Sequence, residues 1–225
     1  MGEALGSVLP IAVAVAIFPV PVIAVVLVLG SERGRAKGLA FVAAWAAGLA
    51  AVGAVVLLLA GEVGASESGE PSTWVDWALA ALGVALLYLA AKQWRGRPRG
   101  DDEPERPGWM LAIDRFTVAK AAATGFALSG LNPKNILLTA AAAAEIAELG
   151  LPADRQAVVL AAFVLIASAG VLTPLVLAFV LGGRSRDPLE ALGTWMARHN
   201  AAIMAAIFVL IGAKLIGDAL SGLTG

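Results

Sequence analysis

The chain has 225 residues, of which 60% are hydrophobic and only 15% are charged, with a net charge of −1 and a mean hydropathy of +0.85. Soluble domains carry about 25% charged residues, so this composition indicates a membrane protein. The sequence has no cysteine, which excludes disulfides and thiolate metal ligands.

Six apolar segments are long enough to cross a bilayer, which takes about 20 residues. They are apolar on all sides, unlike the one-sided helices of soluble proteins. The sequence therefore predicts an all-α membrane protein with six transmembrane helices. Small residues in these spans, such as Gly48, Gly53 and Gly170, are expected to let helices approach closely. The spans cover roughly residues 6–30, 38–60, 74–93, 118–146, 154–182 and 200–221.

Lysine and arginine are concentrated in alternate connecting segments. Residues 31–37, 92–117 and 183–199 contain several basic residues, whereas residues 61–73 and 147–153 contain none. Cytoplasmic loops of membrane proteins are enriched in basic residues. We therefore predict that the three basic segments are cytoplasmic and that both termini lie outside, in a multi-pass protein of the plasma (inner) membrane.

Cysteine labelling tests this orientation, because the natural chain has no cysteine. In intact cells, Glu67→Cys is expected to react with a membrane-impermeant reagent, and Asp101→Cys is expected to stay unlabelled. Labelling of Asp101→Cys without labelling of Glu67→Cys would reverse the predicted orientation.

The stretch RGRPRGDDEPERPGWMLAIDRF separates the third and fourth spans. Its first part is rich in Pro, Gly and charge, which is typical of a flexible linker. Its last part is expected to lie along the membrane surface, with Trp109 and Phe116 at headgroup depth. We interpret residues 95–117 as a cytoplasmic linker whose basic residues set the topology, with docking to anionic lipid as the alternative.

The two halves of the chain on either side of this linker resemble each other. The third span, GVALLYLAAKQW, and the sixth, IFVLIGAKLIGD, each contain one late lysine, Lys92 and Lys214. FPVPVIAVVL in span 1 aligns with LNPKNILLTA in span 4, so both proline interruptions fall in corresponding spans. We predict two three-helix repeats, residues 1–94 and 118–225, of opposite orientation, as in many secondary transporters.

The motif LNPKN predicts that the fourth span stops and restarts near the middle of the membrane. Asn132 is a good N-cap, and Pro133 suits the first position of a helix. Lys134 then lies at the positive end of the restarted helix, where a bound anion would offset both charges. A lysine at this depth is costly and usually has a function.

Pro19 and Pro21 predict a similar interruption in the first span, because each disfavours a helical conformation for the residue before it. Irregular backbone inside a membrane must be buried in protein or line a cavity. We therefore expect spans 1 and 4 to be interrupted and to form the substrate-binding site together. The predicted site residues are Pro19, Pro21, Asn132, Pro133, Lys134 and Asn135.

The remaining charged residues of the spans have simpler interpretations. Lys92 is expected to extend to the cytoplasmic surface, and Lys214 to pair with Asp218 one turn later. If protons drive transport, Lys134 is the first candidate for coupling, because a desolvated lysine titrates nearer neutrality. Lys214 and Asp218 are the next candidates.

The spans lack a carboxylate near their centres, and no ligand cluster for a metal ion is recognisable. Glu145 and Glu148 fall near the outer end of span 4, where we expect them to face water, and His199 is expected at the surface. No nucleophile is paired with a base. The sequence therefore predicts neither a metal site nor a catalytic residue nor a cofactor, and the protein is not expected to be an enzyme.

Two motifs resemble a known family. The run PVPVIAVVLVL followed by R-x-R-x-K-G-L-A-F-V-x-x-W-x-x-G, together with LNPKN, is similar to the GAP family, also called Sap or peptidoglycolipid-addressing proteins. This actinobacterial family belongs to the LysE exporter superfamily, and the resemblance covers nearly the whole chain outside the linker. It implies a six-helix inner-membrane exporter of glycolipids or related envelope lipids. The residues that match its motifs are Pro19, Pro21, Asn132, Pro133 and Lys134.

Three functional hypotheses follow. The first is export of an anionic amphiphile or envelope (glyco)lipid by alternating access, in which Asn132 and Lys134 hold the negative headgroup. The second is proton-coupled export of amino acids or small solutes. The third is a membrane scaffold that recruits envelope-synthesis proteins through residues 95–117. The sequence also allows a homodimer. No nucleic-acid partner is expected.

Overall fold

The computed structural model describes residues 2–65, 73–97, 113 and 116–224. The regular structure within these residues is entirely helical, which confirms the all-α prediction. Most of the predicted linker, including Trp109, lies outside the described residues, and Phe116 packs against the hydrophobic core. In chain order the helices are α1 (Gly2–Ala16), α2 (Pro19–Gly30), α3 (Gly34–Ala65), α4 (Thr73–Arg95), α5 (Val118–Phe126), a π-helical turn (Ala127–Leu131), α6 (Pro133–Glu148), α7 (Ala153–Ala167), α8 (Ala169–Leu181), a 3₁₀ turn (Gly182–Ser185) and α9 (Arg186–Thr224).

The first interruption lies between α1 and α2, as the prolines predict. Phe18 has extended backbone with ψ of 116°, and Pro19 begins α2, because the ring of a proline disfavours the helical conformation of the residue before it. Pro21 is tolerated in the same first turn, where amide groups have no partner inside the helix. The two helices are bent by 50° at this break.

The second interruption lies at Asn132, also as predicted. Asn132 has ψ of 119°, and its side chain accepts a hydrogen bond from the backbone amide of Lys134. Pro133 occupies the first position of α6, where its missing N–H costs nothing. The preceding turn, Ala127–Leu131, is π-helical, so the ladder of hydrogen bonds is already altered before the chain leaves the helix.

A third interruption, at Ser168 between α7 and α8, was not predicted. The corresponding helix of the first half, α3, is continuous over 32 residues, so the two halves differ at this point. The segment 183–199, predicted as a loop, contains the end of the 3₁₀ turn and the first part of α9, which has 39 residues. The helix of the predicted sixth span therefore starts before residue 200.

Three described segments are long and apolar enough to cross a membrane on their own: Gly34–Gly61, Asp76–Arg95 and Ala169–Leu223. The bent pair α1 and α2 passes the same criterion when taken together, whereas Val118–Leu131 is a shorter apolar helix. The segment Ala169–Leu223 has 55 residues, more than twice the about 20 that one crossing needs. Length alone therefore does not fix the number of crossings, and the six-span inverted repeat stays a prediction.

Glycines bring the helices together around the interruptions. A Cβ at Gly125 of α5 would overlap the backbone of Phe41 in α3, and one at Gly48 would overlap the hydroxyl of Ser129. Gly53 is packed in the same way against Leu160 of α7. These contacts confirm the predicted close approaches at Gly48 and Gly53 and fix the π-helical turn against α3.

Candidate functional site

Lys134 lies beside the C-terminal end of α4. Its Nζ donates a hydrogen bond to Oε1 of Gln93 at 3.3 Å, and Lys92 lies close enough to interact with it electrostatically. Gln93 is in the last turn of α4. The ammonium group of Lys134 is therefore level with the end of α4, and its depth in the membrane stays a prediction.

Neither of the two lysines has a carboxylate partner among the described side chains. Among the described residues, the ion pairs involve Lys214 and neither Lys92 nor Lys134. Lys134 is half-buried and Lys92 is exposed, so the pair forms a positive site at the protein surface near the second interruption. Such a site attracts an anion, because a bound negative group relieves the repulsion between the two ammonium groups.

Fewer backbone N–H groups are free to bind an anion at the start of α6 than the sequence suggested. Pro133 has no N–H, and the N–H of Lys134 already donates to Oδ1 of Asn132 at 3.1 Å. Two of the first three amide positions of the helix are therefore unavailable to a ligand. The attraction for an anion rests on the lysine side chains, and Asn132 acts as the helix cap, a contact worth about 1 kcal/mol.

Asn135 connects the two sides of the second interruption. Its Nδ2 donates to the carbonyl oxygen of Leu128 at 2.8 Å, across the break. The residue is fully buried, and its Oδ1 has no hydrogen-bond partner among the described residues. The hydroxyl of Thr139, one turn later on α6, is buried and unpaired in the same way. Buried polar atoms are normally satisfied, so this face of α6 is equipped to pair with a polar group that is not part of the described chain.

Pro19 and Pro21 are buried, and the first interruption contacts the third one. Gly170, in the first turn of α8, lies against the carbonyl group of Ala16 at the end of α1, which confirms its predicted role in close approach. Helix α1 also packs against α6. The interrupted spans 1 and 4 are thus neighbours, and the first interruption also lies against the residues that follow the break at Ser168.

An ionic cluster around the buried Glu145 connects α6 with α9. Nζ of Lys214 lies 2.7 Å from Oε1 of Glu145 and 2.6 Å from Oδ2 of Asp218. The predicted pair of Lys214 with Asp218 is confirmed, but the prediction that Glu145 faces water is wrong, because its side chain is only 4% exposed. Burial of Glu145 is stabilised by the cation on the facing helix. Its second oxygen, Oε2, is buried and unpaired within the described chain.

Two further carboxylates extend this cluster. Asp76 of α4 is 7% exposed, packs against Gly222 of α9 and lies close enough to Glu148 to act on it electrostatically. Glu148 lies beyond the end of the predicted fourth span and keeps part of its surface exposed. Partial burial, followed by the negative charge of Asp76, raises its pKa above the usual glutamate value.

Six of the residues described above were absent from the predicted site: Asp76, Lys92, Gln93, Thr139, Glu145 and Glu148. The sequence contains a signal for Glu145, since an apolar span that holds Lys214 needs a buried counter-charge and Glu145 follows five consecutive alanines near the end of its own span. His199 is exposed as predicted and stacks on Trp195 at a ring distance of 4.7 Å, away from these clusters.

Comparison with protein families gives one assignment. The model of the family described as Sap, sulfolipid-1-addressing protein, matches residues 8–221, which is nearly the whole chain. Searches of curated proteins and of solved structures gave no match. The interruptions at Pro19 and Asn132 and the lysine site beside α4 all lie within the matched range, and the chain belongs to the Sap, sulfolipid-1-addressing protein family.

Proposed function

We propose that this protein exports an anionic amphiphile, such as an envelope (glyco)lipid, across the plasma membrane by alternating access around its interrupted helices. The observation that carries the proposal is the pair Lys92 and Lys134 at the second interruption, which has no carboxylate partner among the described residues. The family assignment supports a lipid as cargo, since its description refers to sulfolipid addressing. A sulfated or phosphorylated headgroup would supply the missing negative charge.

The position of the lysine pair fits the loading step of an exporter. With the predicted orientation, the end of α4 faces the cytoplasm, so the pair would meet headgroups in the inner leaflet. Asn135 and Thr139 continue from Lys134 along α6 with unpaired buried oxygens. They would offer hydrogen bonds to a headgroup that moves outward once the contacts around the interruptions open.

The proposal includes the predicted architecture of six spans in two inverted repeats with both termini outside. Interrupted helices support it, because such helices form the binding sites of many transporters built from inverted repeats. It assigns no catalytic residue, metal or cofactor to the chain. Contacts with envelope-synthesis proteins and formation of a homodimer stay predictions.

Lys134→Met tests the proposal in cells that lack the natural gene. Methionine keeps the length and apolar stem of the side chain, and replacement of a buried charge by a packed apolar residue is often tolerated. Export of the accumulated lipid, measured in surface extracts at matched protein level, is expected to fall at least about tenfold, which corresponds to roughly 1.4 kcal/mol of lost anion contact.

Two further variants sharpen this experiment. Lys134→Arg is expected to impair export as well, because a planar guanidinium does not reproduce a compact ammonium group. Lys120→Met, at an exposed position of α5, removes a lysine that has no place in the site and should leave export unchanged. Wild-type export by Lys134→Met would reduce Lys134 to a structural residue and move the cargo site elsewhere.

A second candidate function is proton-coupled export of amino acids or small solutes. The ionic cluster of Glu145, Lys214 and Asp218 favours ion coupling, but it does not distinguish a small cargo from a lipid. Accumulation of a small solute inside the deletion strain, with an unchanged lipid distribution, would favour this candidate.

A further inference from the structure

Three helices bring four carboxylates and one lysine together at the ends opposite to the Lys134 site. Glu145 and Glu148 belong to the C-terminal turns of α6, Asp76 to the first turn of α4, and Lys214 and Asp218 to α9. Lys214 joins Glu145 to Asp218, and Asp76 lies close enough to Glu148 to act on it electrostatically. Helices α1, α3 and α7, which also pack against α6, add no charge acting on Glu145 among the described side chains.

The cluster contains more acidic than basic side chains. Four ionised carboxylates and one ammonium group would give it a net charge of −3. Carboxylates that share a poorly solvated site repel one another, so full ionisation is unfavourable and proton uptake relieves it. Partial burial and, after it, repulsion by Asp76 and Asp218 raise the pKa of Glu148.

One carboxylate oxygen of Glu145 is available for protonation. Its Oε1 accepts from Lys214, whereas its Oε2 is buried and has no partner among the described residues. Lys214 and Asp218 are 25% and 41% exposed, so water reaches the edge of the cluster. The described residues contain no group of acidic or imidazole side chains suited to a metal ion, which favours a proton over a bound metal cation.

We propose that Glu145 is a proton-binding site that couples outward transport to proton entry. A proton from the predicted outer side adds to Oε2, and the carboxylate becomes a neutral carboxyl group. The ion pair with Lys214 is then reduced to a hydrogen bond from the ammonium group to a neutral carboxyl group, while Lys214 keeps Asp218 as its counter-ion. Loss of the proton restores the pair, so each cycle strengthens and weakens the contact between α6 and α9.

Helix α6 is placed to transmit this change. It runs from the interruption at Asn132 to Glu148, and Glu145 lies eleven residues after Lys134 in the sequence, about 16 Å along a helix. A weaker contact at Glu145 frees the outer end of the helix whose inner end holds the lysine site. This inference rests on the proposed export function, but the proton site itself is measurable without any cargo.

Infrared difference spectroscopy of the purified chain in lipid vesicles tests the proton site. A step in pH is expected to produce the C=O stretch of a buried carboxyl group that becomes protonated, with the isotope shift seen in deuterated water. Glu145→Gln should remove this band, Glu145→Asp should retain a carboxyl band with a displaced titration midpoint, and Glu3→Gln, at an exposed position of α1, should leave the band intact.

The outcomes separate the coupling site from the export function. A wild-type band that persists in Glu145→Gln would overturn the inference and leave the lysine site and its cargo untouched. A midpoint that moves when Na⁺ replaces a large organic cation would also overturn it, in favour of a sodium site. If the band behaves as expected while Lys134→Met exports normally, the proposed function fails and the proton site stands. If Glu145→Gln does not fold, Glu145→Asp alone decides, and an unchanged midpoint contradicts the inference.

Discussion

Lys214→Met is expected to destabilise the folded protein by about 3–5 kcal/mol, the usual cost of removing one partner of a buried ion pair. The substitution leaves Glu145 only 4% exposed and without its cation. The carboxylate must then stay charged in a poorly solvated site, take up a proton or force the helices apart. Denaturation of the purified protein in detergent, followed by tryptophan fluorescence, measures this loss.

A second substitution should reverse much of the effect. In Lys214→Met combined with Glu145→Gln, the facing helices carry no unpaired charge, so the double variant is expected to be more stable than Lys214→Met alone. Lys120→Met, at an exposed position, should change the unfolding free energy by less than about 0.5 kcal/mol. Equal stability of Lys214→Met and wild type would show that the cluster does not hold α6 against α9.

Gly170→Ala is expected to have a comparably large effect, of about 3 kcal/mol or more, because overpacking against backbone leaves little room for relief. The added Cβ would overlap the carbonyl group of Ala16 at the end of α1. A flexible side chain could move aside, but a backbone carbonyl moves only with its helix. The substitution should therefore separate the first interruption from the third.

Gly217→Ala provides the matched control for this substitution. Gly217 lies inside α9 and faces open space, so alanine should be neutral or stabilising by up to about 1 kcal/mol, the difference in helix propensity. Both variants are compared by thermal unfolding in the same detergent. A Gly170→Ala protein as stable as Gly217→Ala would mean that the two interruptions do not pack as closely as described.

The interruptions at Pro19 and Asn132 could be predicted because their causes are local. Proline restricts the residue before it and lacks an N–H, and asparagine caps the helix that follows, so a few neighbouring residues determine the break. The break at Ser168 has no such signal, since no proline lies at the break and the nearest one, Pro174, is inside α8. It coincides instead with a tertiary contact between Gly170 and α1.

The ionic cluster was missed for a related reason. Lys214 and Asp218 are four residues apart on one helix, so their pairing follows from helix geometry. Glu145 lies 69 positions from Lys214, and only the packing of α6 near α9 brings them together. Gln93, which accepts a hydrogen bond from Lys134, was missed in the same way because it belongs to another helix.

The most direct test of the proposed function is transport by the purified chain in vesicles. Protein is reconstituted into liposomes that contain a fluorescent anionic lipid or its zwitterionic analogue, and an impermeant quencher reports movement between the leaflets under an imposed pH gradient. The protein is expected to accelerate movement of the anionic lipid over protein-free vesicles and to favour it over the zwitterionic analogue, and Lys134→Met should reduce this movement at least about tenfold. Movement no faster than in protein-free vesicles, or equal for the two lipids and unaffected by Lys134→Met, would contradict an exporter of anionic amphiphiles and favour the scaffold hypothesis or a different cargo.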